Sequence, residues 1–203
     1  MDNDIKKQIV YELIDTFINA GNIALDLRDK GLKKIIKEDN TPVTNGDLEV
    51  NKIITNKIKE ITPQIPIVSE EVSDNKNIEN LSTFWLIDPI DGTYDYLNNR
   101  DEFTLNAGLI INKKPEVAII NAPAKKRLFY TFGMNNSFEI KNKKEIKLDS
   151  GLSSKNSELL ALVYSDNIKD EIKDIHNRYK IKSITKMKSS YKFCVVASGE
   201  FDL

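Results

Sequence analysis

The sequence predicts a mixed α+β or α/β protein, and three observations support this fold class. Apolar residues recur at helical spacing in the first third of the chain. Short apolar runs separated by turn residues fill the middle, and strand-like and helix-like patterns alternate near the C-terminus. Such a succession is typical of sheets covered by helices.

Two amphipathic helices are predicted at the N-terminal end. The first spans Asp4 to about Leu27, and the second spans Asp47 to about Ile61. Pro63 ends the second helix, because proline cannot continue an α-helix. We expect each helix to bury its apolar face and expose its charged face.

Strands are predicted wherever a short apolar or alternating run is bounded by turn residues. In chain order these runs are IPIVS, FWLI, FTLNAGLII, EVAIINAP, RLFYTFG and NSFEIK. Turns at Asn112 to Pro115 and at Asn135 and Asn136 indicate two hairpins. The run KNKKEIK is predicted to be a solvated hairpin edge, because lysines protect exposed strands.

The last quarter of the chain predicts a smaller α/β unit. ELLALVYS and IKSITKM are typical of strands, and DNIKDEIKDIHNRY and SSYKFCVVASGE are typical of helices. The polar stretch from Lys147 to Glu158 is the predicted connector. We therefore expect a domain of residues 1–150 and a partial domain of residues 151–203.

The composition argues against several classes of function. The chain carries 30 Lys and Arg against 31 Asp and Glu, so its net charge of −1 gives no global attraction to nucleic acid polymers or membranes. A single cysteine, Cys194, excludes an intramolecular disulfide framework. The N-terminus is too charged for a signal peptide, and no apolar run approaches the roughly 20 residues of a membrane helix. We expect a soluble, cytoplasmic protein that holds charged ligands locally.

The stretch FWLIDPIDGTYDY is the most informative, because a buried strand there delivers two carboxylates. Asp88 and Asp91 flank a proline that interrupts the strand's ladder, and Gly92 permits a sharp turn. If a helix follows, its first N–H groups form an anion site beside the acids. Mg²⁺ commonly joins carboxylates to a substrate phosphate. The alternative is a turn in which both acids only cap backbone groups.

Two further acidic positions are candidates for the same cluster. IVSEE also ends an apolar strand in acids, so Glu70 or Glu71 can reach a metal. A solvated strand end is the simpler interpretation of that motif alone. Asp47 follows Thr44 by three residues and imitates a capping box, so helix capping is the simpler interpretation of that tetrad in isolation.

Taken together, these motifs resemble the signature of the inositol monophosphatase superfamily of metal-dependent, lithium-sensitive phosphatases. WLIDPIDGT is preceded by SEE and by DNTPVTNGD. KEDNTPVTNGD, EFTLNAGLI and SSYKFCVVASGE are most similar to the 3'(2'),5'-bisphosphate nucleotidase branch. The resemblance covers the chain from about Asp39 to the last residue. No Walker A loop or G-x-G-x-x-G pattern supports a rival nucleotide fold.

The resemblance implies a layered αβαβα sandwich whose C-terminal α/β part is incomplete. It also implies Mg²⁺ as the cofactor, with two or three ions in the complete family site. The implied ligands are Glu70, Asp88, Asp91 and the backbone carbonyl of Ile90. The domain of residues 1–150 would then bind metal and phosphate, and the partial domain would contact the substrate.

The resemblance also implies roles beyond the metal. Thr93, oriented by Asp47, would position and help to deprotonate a water, and the amides of Gly92 and Thr93 would receive phosphate oxygens. Ser189 and Ser190 match the segment that contacts the substrate beyond its phosphate. A serine N-cap is the alternative for that pair, and both roles are compatible.

The implied function is a Mg²⁺-dependent phosphomonoesterase acting on a small phosphate ester. The favoured substrate is 3'-phosphoadenosine 5'-phosphate, which gives AMP and phosphate and belongs to sulfur metabolism. Inositol or sugar monophosphates are alternatives, as is a metal- or nucleotide-binding chain without turnover. Lys188 in place of a glycine, the segment from Tyr94 to Tyr96, and YSDN at Tyr164 to Asn167 depart from the nucleotidase pattern. These departures affect the expected contacts to the second phosphate or the base.

In the resembled family, the chain continues after KFCVVASGEFDL into a Trp-Asp motif whose aspartate is another metal ligand, whereas this sequence ends at Leu203. We therefore expect weak Mg²⁺ binding at the position that depends on Asp91, and self-association through the incomplete C-terminal part. His176 and Cys194 are expected to be structural rather than catalytic.

Overall fold

The computed structural model of the chain describes residues 1–36, 42–71, 80–148 and 159–203. It has an α+β architecture, as predicted. In chain order its helices and strands are α1 (Asn3–Lys30), β1 (Lys34–Ile36), β2 (Pro42–Thr44), α2 (Asn45–Ile61), β3 (Ile67–Ser69), β4 (Phe84–Asp91), α3 (Thr93–Leu97), β5 (Thr104–Ile111), β6 (Lys114–Ala122), a 3₁₀ turn (Pro123–Lys125), β7 (Arg127–Phe132), β8 (Ser137–Lys141), β9 (Lys144–Lys147), β10 (Leu160–Val163), α4 (Asp170–Arg178), β11 (Ser183–Lys186) and α5 (Tyr191–Ala197).

A seven-stranded sheet with the order β3-β4-β5-β6-β7-β8-β9 is the central element. β3 and β4 are parallel, and the other neighbouring strands are antiparallel. The predicted hairpins are confirmed. The β5–β6 hairpin turns through Asn112 and Lys113, both at positive φ, which suits the twist of a tight hairpin. β9 forms the lysine-rich sheet edge that the sequence predicts.

The first helix, α1, covers one face of the sheet and is confirmed with slightly wider bounds than predicted. The Asp2 side chain caps its start by accepting the Ile5 N–H at 2.9 Å, and Gly31 ends it at a φ of +96°. Its buried stripe includes Leu13 and Phe17, both fully buried. Each substantial side chain buried there contributes about 1.5–3 kcal/mol, so packing rather than helix propensity holds α1 on the sheet.

The second helix, α2, lies beside α1 on the same face and begins with a capping box at Thr44 and Asp47. Val50, Ile54 and Ile58 enter the core that α1 shares with the sheet. The fully buried Trp85 anchors the helix end to the sheet, because its indole N–H donates to the Thr62 hydroxyl at 3.0 Å. None of the described helices is long and apolar enough to cross a membrane.

The predicted α/β unit at the C-terminal end is also formed. β10 and β11 pair in parallel with α4 between them. Most of the predicted connector, residues 149–158, and the proposed domain boundary at residues 150 and 151 lie outside the described residues. α5 packs on the sheet face opposite α1, where Tyr191, Cys194 and Val195 form a second cluster with Ala122 and Phe129.

A buried charge network fastens α5 to the sheet. Arg127 on β7 is 4% exposed and donates to Glu139 at 2.6 Å and to the Tyr191 hydroxyl at 2.8 Å. It also donates to Glu200 beyond the helix. The guanidinium lies 4.9 Å from the centre of the Phe129 ring. Each nitrogen therefore has a partner, which buried Arg requires.

Two features differ from the sequence prediction. The short antiparallel pair β1–β2 was not predicted, because neither strand is longer than three residues. Pro89 was expected to stop the ladder of β4, but the strand runs through it and pairs again at Asp91. The ladder survives because a bulge removes Pro89 from the pairing.

Replacing Arg127 tests the buried network. Arg127→Met leaves Glu139 as a buried, uncompensated charge, so we expect a loss of about 3–5 kcal/mol in the free energy of unfolding. The double variant Arg127→Met with Glu139→Leu should recover much of this loss, because it removes both charges. Urea denaturation measures both variants; a single variant within 1 kcal/mol of the wild type contradicts the account.

Candidate metal and phosphate site

A β-bulge places Asp88 and Asp91 on the same face of the sheet. Asp88 pairs with Asn106 and Asp91 pairs with Thr104, so β4 has one more residue than β5 between the two pairs. Side chains of a regular strand alternate between faces, and residues three apart would point to opposite sides. The extra residue restores the alternation, so both carboxylates lie on the face that carries α5.

Asp88 occupies a polar position with incomplete hydrogen bonding. Its Oδ1 atom is buried and has no partner in the described parts of the chain. Burial, together with the charges of Glu70 and Asp91 and a hydrogen bond with Glu70, raises the pKa of Asp88 to about 8. The Glu70 backbone N–H donates to the Ile87 carbonyl at 3.1 Å, which fixes the end of β3 beside β4. The structure therefore brings the predicted Glu70 and Asp88 together.

Asp91 is engaged by the start of α5. Its Oδ2 atom accepts hydrogen bonds from the Ser190 N–H and from the Ser190 hydroxyl, the latter at 2.8 Å. Ser190 occupies the N-cap position of α5, but its side chain makes no capping hydrogen bond. The Ser189 hydroxyl instead accepts the Tyr191 N–H at 3.2 Å. The contact between Asp91 and Ser190 joins two motifs that lie far apart in the sequence.

Gly92 makes the turn that follows β4. It adopts a φ of +91°, and a Cβ atom there would lie 2.8 Å from the Glu102 carbonyl oxygen. Both observations require glycine at this position. The turn leads directly into α3, the predicted helix that begins at Thr93.

Asp47 contacts both Thr44 and Thr93. Its Oδ2 atom accepts the Thr44 N–H at 2.8 Å and the Thr44 hydroxyl at 2.5 Å, which is the capping interaction. Its Oδ1 atom is 3.3 Å from the Thr93 hydroxyl, which also lies 3.1 Å from the Ile90 carbonyl. Burial raises the pKa of Asp47, although hydrogen bonds from Thr44 and Thr93 oppose the shift. Capping and orientation of Thr93 are therefore compatible.

The oxygen-rich surroundings of Asp88 fit a hard divalent cation. Across the described ranges, no three His, Cys, Asp or Glu side chains form a preformed metal-binding group. The Asp91 Oδ2 atom already accepts a hydrogen bond from Ser190, whereas the buried Asp88 Oδ1 atom lacks a partner in the described residues. A cation that takes oxygen ligands would supply that partner, and Mg²⁺ needs only one or two carboxylates. The residues present therefore fit Mg²⁺.

Four further residues lie outside the predicted set of site residues. Two of them were discussed from the sequence, and two on β5 were not. Cys194 is buried, and burial raises the pKa of its thiol to about 12. His176 lies on α4 and is partly exposed. Thr104 and Asn106 on β5 were not singled out. Pairing the FTLNAGLII strand with FWLIDPID would have placed Asn106 opposite Asp88, whereas the match of Thr104 to Asp91 depends on the bulge.

Comparison with known proteins gives consistent results. A sequence model described as the inositol monophosphatase family matches residues 6–203. The 3'(2'),5'-bisphosphate nucleotidase CysQ of Buchnera aphidicola subsp. Acyrthosiphon pisum is 36% identical over 202 residues, covering 97% of this chain and 74% of the relative.

Two solved structures share the fold. The crystal structure of CysQ from Bacteroides thetaiotaomicron aligns with a TM-score of 0.72 at 23% identity, covering 97% of this chain and 78% of that one. An IMPase/NADP phosphatase complexed with Mg²⁺ and phosphate aligns with a TM-score of 0.77 at 18% identity, covering 97% and 73%. These likenesses confirm the predicted layered fold class.

The raised pKa of Asp88 predicts a pH-dependent stability in the absence of divalent ions. Between its ordinary pKa of 3.8 and about 8, the folded protein binds a proton that the unfolded chain releases. This group's contribution to stability is therefore present at low pH and lost as pH rises toward 8. Asp88→Asn removes that contribution to the pH dependence and should become more stable than the wild type as pH increases.

Thermal unfolding in EDTA from pH 5 to pH 8.5 measures this difference. Each kcal/mol corresponds to about 2–4 °C in Tm for a chain of this size. The Tm of Asp88→Asn relative to the wild type should rise by several degrees across the range. Parallel curves of Tm against pH for the two proteins would contradict the raised pKa of Asp88.

Proposed function

The chain belongs to the inositol monophosphatase family, and from this premise we propose that it is a magnesium-dependent phosphoric monoester hydrolase that removes the 3'-phosphate of 3'-phosphoadenosine 5'-phosphate. The products are AMP and phosphate. The observation that carries the choice of substrate is the 36% identity to a 3'(2'),5'-bisphosphate nucleotidase over almost the whole chain. The carboxylates gathered by the bulge support the metal dependence.

The proposed metal ligands are the Glu70, Asp88 and Asp91 carboxylates and the Ile90 carbonyl. When bound, magnesium neutralises phosphate charge and lowers the pKa of a coordinated water. Asp91 must share its carboxylate with Ser190 in this arrangement, because two hydrogen bonds already reach one oxygen. Ser190 therefore fixes the direction in which the other Asp91 oxygen points.

Thr93 and Asp47 are the proposed residues that accept the proton of the attacking water. When the Thr93 hydroxyl donates to Asp47 at 3.3 Å, its lone pairs are available to a water. The water proton passes to Thr93 as the Thr93 proton passes to Asp47. Burial makes Asp47 more basic than an exposed aspartate, which favours this transfer.

Gly92 and the serines are the proposed substrate contacts. The turn at Gly92, which has a positive φ, leads directly into α3, and the Gly92 and Thr93 amides are the proposed phosphate donors. The Ser189 hydroxyl accepts one hydrogen bond and keeps its own hydrogen to donate to the substrate. We assign these serines to a substrate domain of residues 151–203 and the metal ligands to a domain of residues 1–150.

Phosphate release from a substrate panel tests the proposed function. With Mg²⁺, we expect faster release from 3'-phosphoadenosine 5'-phosphate than from inositol or sugar monophosphates, with inhibition by Li⁺ and no release in EDTA. A preference for an inositol monophosphate would replace the proposed substrate. Absence of release from every compound would favour a binding protein without turnover.

Asp47→Asn separates the catalytic role of Asp47 from its capping role. The Asn side-chain oxygen can still accept the Thr44 N–H in the capping box, so stability should change little. The new amide N–H₂ faces the Thr93 hydroxyl and cannot accept its proton, so the rate should fall by about 10² to 10⁴. Steady-state phosphate release and thermal unfolding measure the two effects.

Thr93→Val is the matched control, because it removes the hydroxyl and leaves the cap intact. Its rate loss should be similar, and the double variant should be no slower than either single variant, since the two residues act as a unit. Near-normal turnover in Asp47→Asn would show that Asp47 has only a structural role.

A further inference from the structure

Unpartnered buried oxygens are concentrated on two neighbouring strands. Besides Asp88 Oδ1, the Thr104 hydroxyl and the Asn106 Oδ1 atom are buried and have no hydrogen-bond partner in the described chain. Thr104 is fully buried. Buried polar atoms are almost always paired in native proteins, so such a concentration requires an explanation.

Strand register places Asn106 against Asp88. The two residues are direct cross-strand partners in the antiparallel pair β4–β5, and Thr104 is the partner of Asp91. Direct partners project to the same face with Cβ atoms roughly 4.5–5.5 Å apart. Asn106 therefore lies beside the metal-binding carboxylates and not in the apolar core, which receives the alternating Leu105 and Ala107.

Asn106 has an amide oxygen that is a buried acceptor without a donor in the described chain. Its Nδ2 group is directed at the Thr104 carbonyl at 3.5 Å, a weak contact that leaves Oδ1 turned away from that carbonyl. Burying an amide oxygen and a carboxyl oxygen without donors removes their hydrogen bonds to water and supplies no replacement. A cation between Asp88 and Asn106 would give both oxygens a partner.

We propose that Asn106 is a further ligand of this site, and that its amide oxygen contacts the divalent cation held by Asp88. The inference rests on the proposed metal dependence and extends it to a residue on β5. A neutral amide oxygen suits Mg²⁺ because it adds a hard ligand without adding charge to Glu70, Asp88 and Asp91. Asn106 thus limits the mutual repulsion of the carboxylates.

Paired alanine variants test this proposal. Asn106→Ala removes the amide oxygen from the site. Asn121→Ala is the matched control, because Asn121 is a buried asparagine on β6 whose Nδ2 donates to the Phe17 carbonyl at 2.7 Å, on the α1 side of the sheet. Calorimetric titration with Mg²⁺ and the Mg²⁺-induced shift in Tm measure cation binding without depending on turnover.

We expect Asn106→Ala to weaken Mg²⁺ binding by about 10-fold to 100-fold, the usual effect of losing a partner at a metal site. Asn121→Ala should lower the Tm in EDTA and keep the wild-type Mg²⁺ affinity. Asn106→Asp retains an oxygen and should bind Mg²⁺ more tightly than Asn106→Ala.

The outcomes distinguish this inference from the proposed function. Wild-type Mg²⁺ affinity in Asn106→Ala, while the wild type binds Mg²⁺ and releases phosphate, overturns the role of Asn106 alone. Equal weakening in both alanine variants also overturns it, because the effect would then follow general destabilisation. No Mg²⁺ binding by the wild type would overturn the proposed metal dependence and the inference together.

Discussion

The bulge in β4 between Asp88 and Asp91 is the constraint on which the rest of the site depends. One extra residue brings two carboxylates to a single face, beside the end of β3 that carries Glu70. The Gly92 turn follows the bulge directly and places the Thr93 hydroxyl 3.3 Å from Asp47 Oδ1. Pro89 within it removes a ladder donor, so the irregular pairing leaves fewer N–H groups to satisfy.

Concentrating acids in this way opposes folding, and the surrounding structure compensates. Burial and the neighbouring charges hold the Asp88 carboxyl protonated near neutral pH. The core between the sheet and helices α1 and α2, which includes Trp85, is apolar. Arg127 donates to Tyr191 at the start of α5, and the neighbouring Ser190 donates to Asp91. These contacts fix α5 beside the acids. The site is therefore a polar cluster supported by an apolar core.

Sequence patterns could predict the elements whose signals are local. Helical spacing gave α1 and α2 nearly to their ends, and turn residues gave the hairpins. The motif resemblance gave the family, which the comparisons confirm. The bulge, the register of Asn106 against Asp88 and the contact of Ser190 with Asp91 depend on strand pairing and packing between distant segments, so spacing along the chain did not predict them. The roles of the site residues stay predictions.

Proton release on Mg²⁺ binding tests whether Asp88 is the centre of the metal site. Titration calorimetry at pH 7 in two buffers of different ionisation enthalpy gives the number of protons released per ion bound. A cation that displaces the Asp88 proton should release close to one proton at pH 7 and almost none at pH 9, because the pKa of Asp88 is about 8. Binding without proton release at pH 7 would contradict the assignment of Asp88 as the centre of the site.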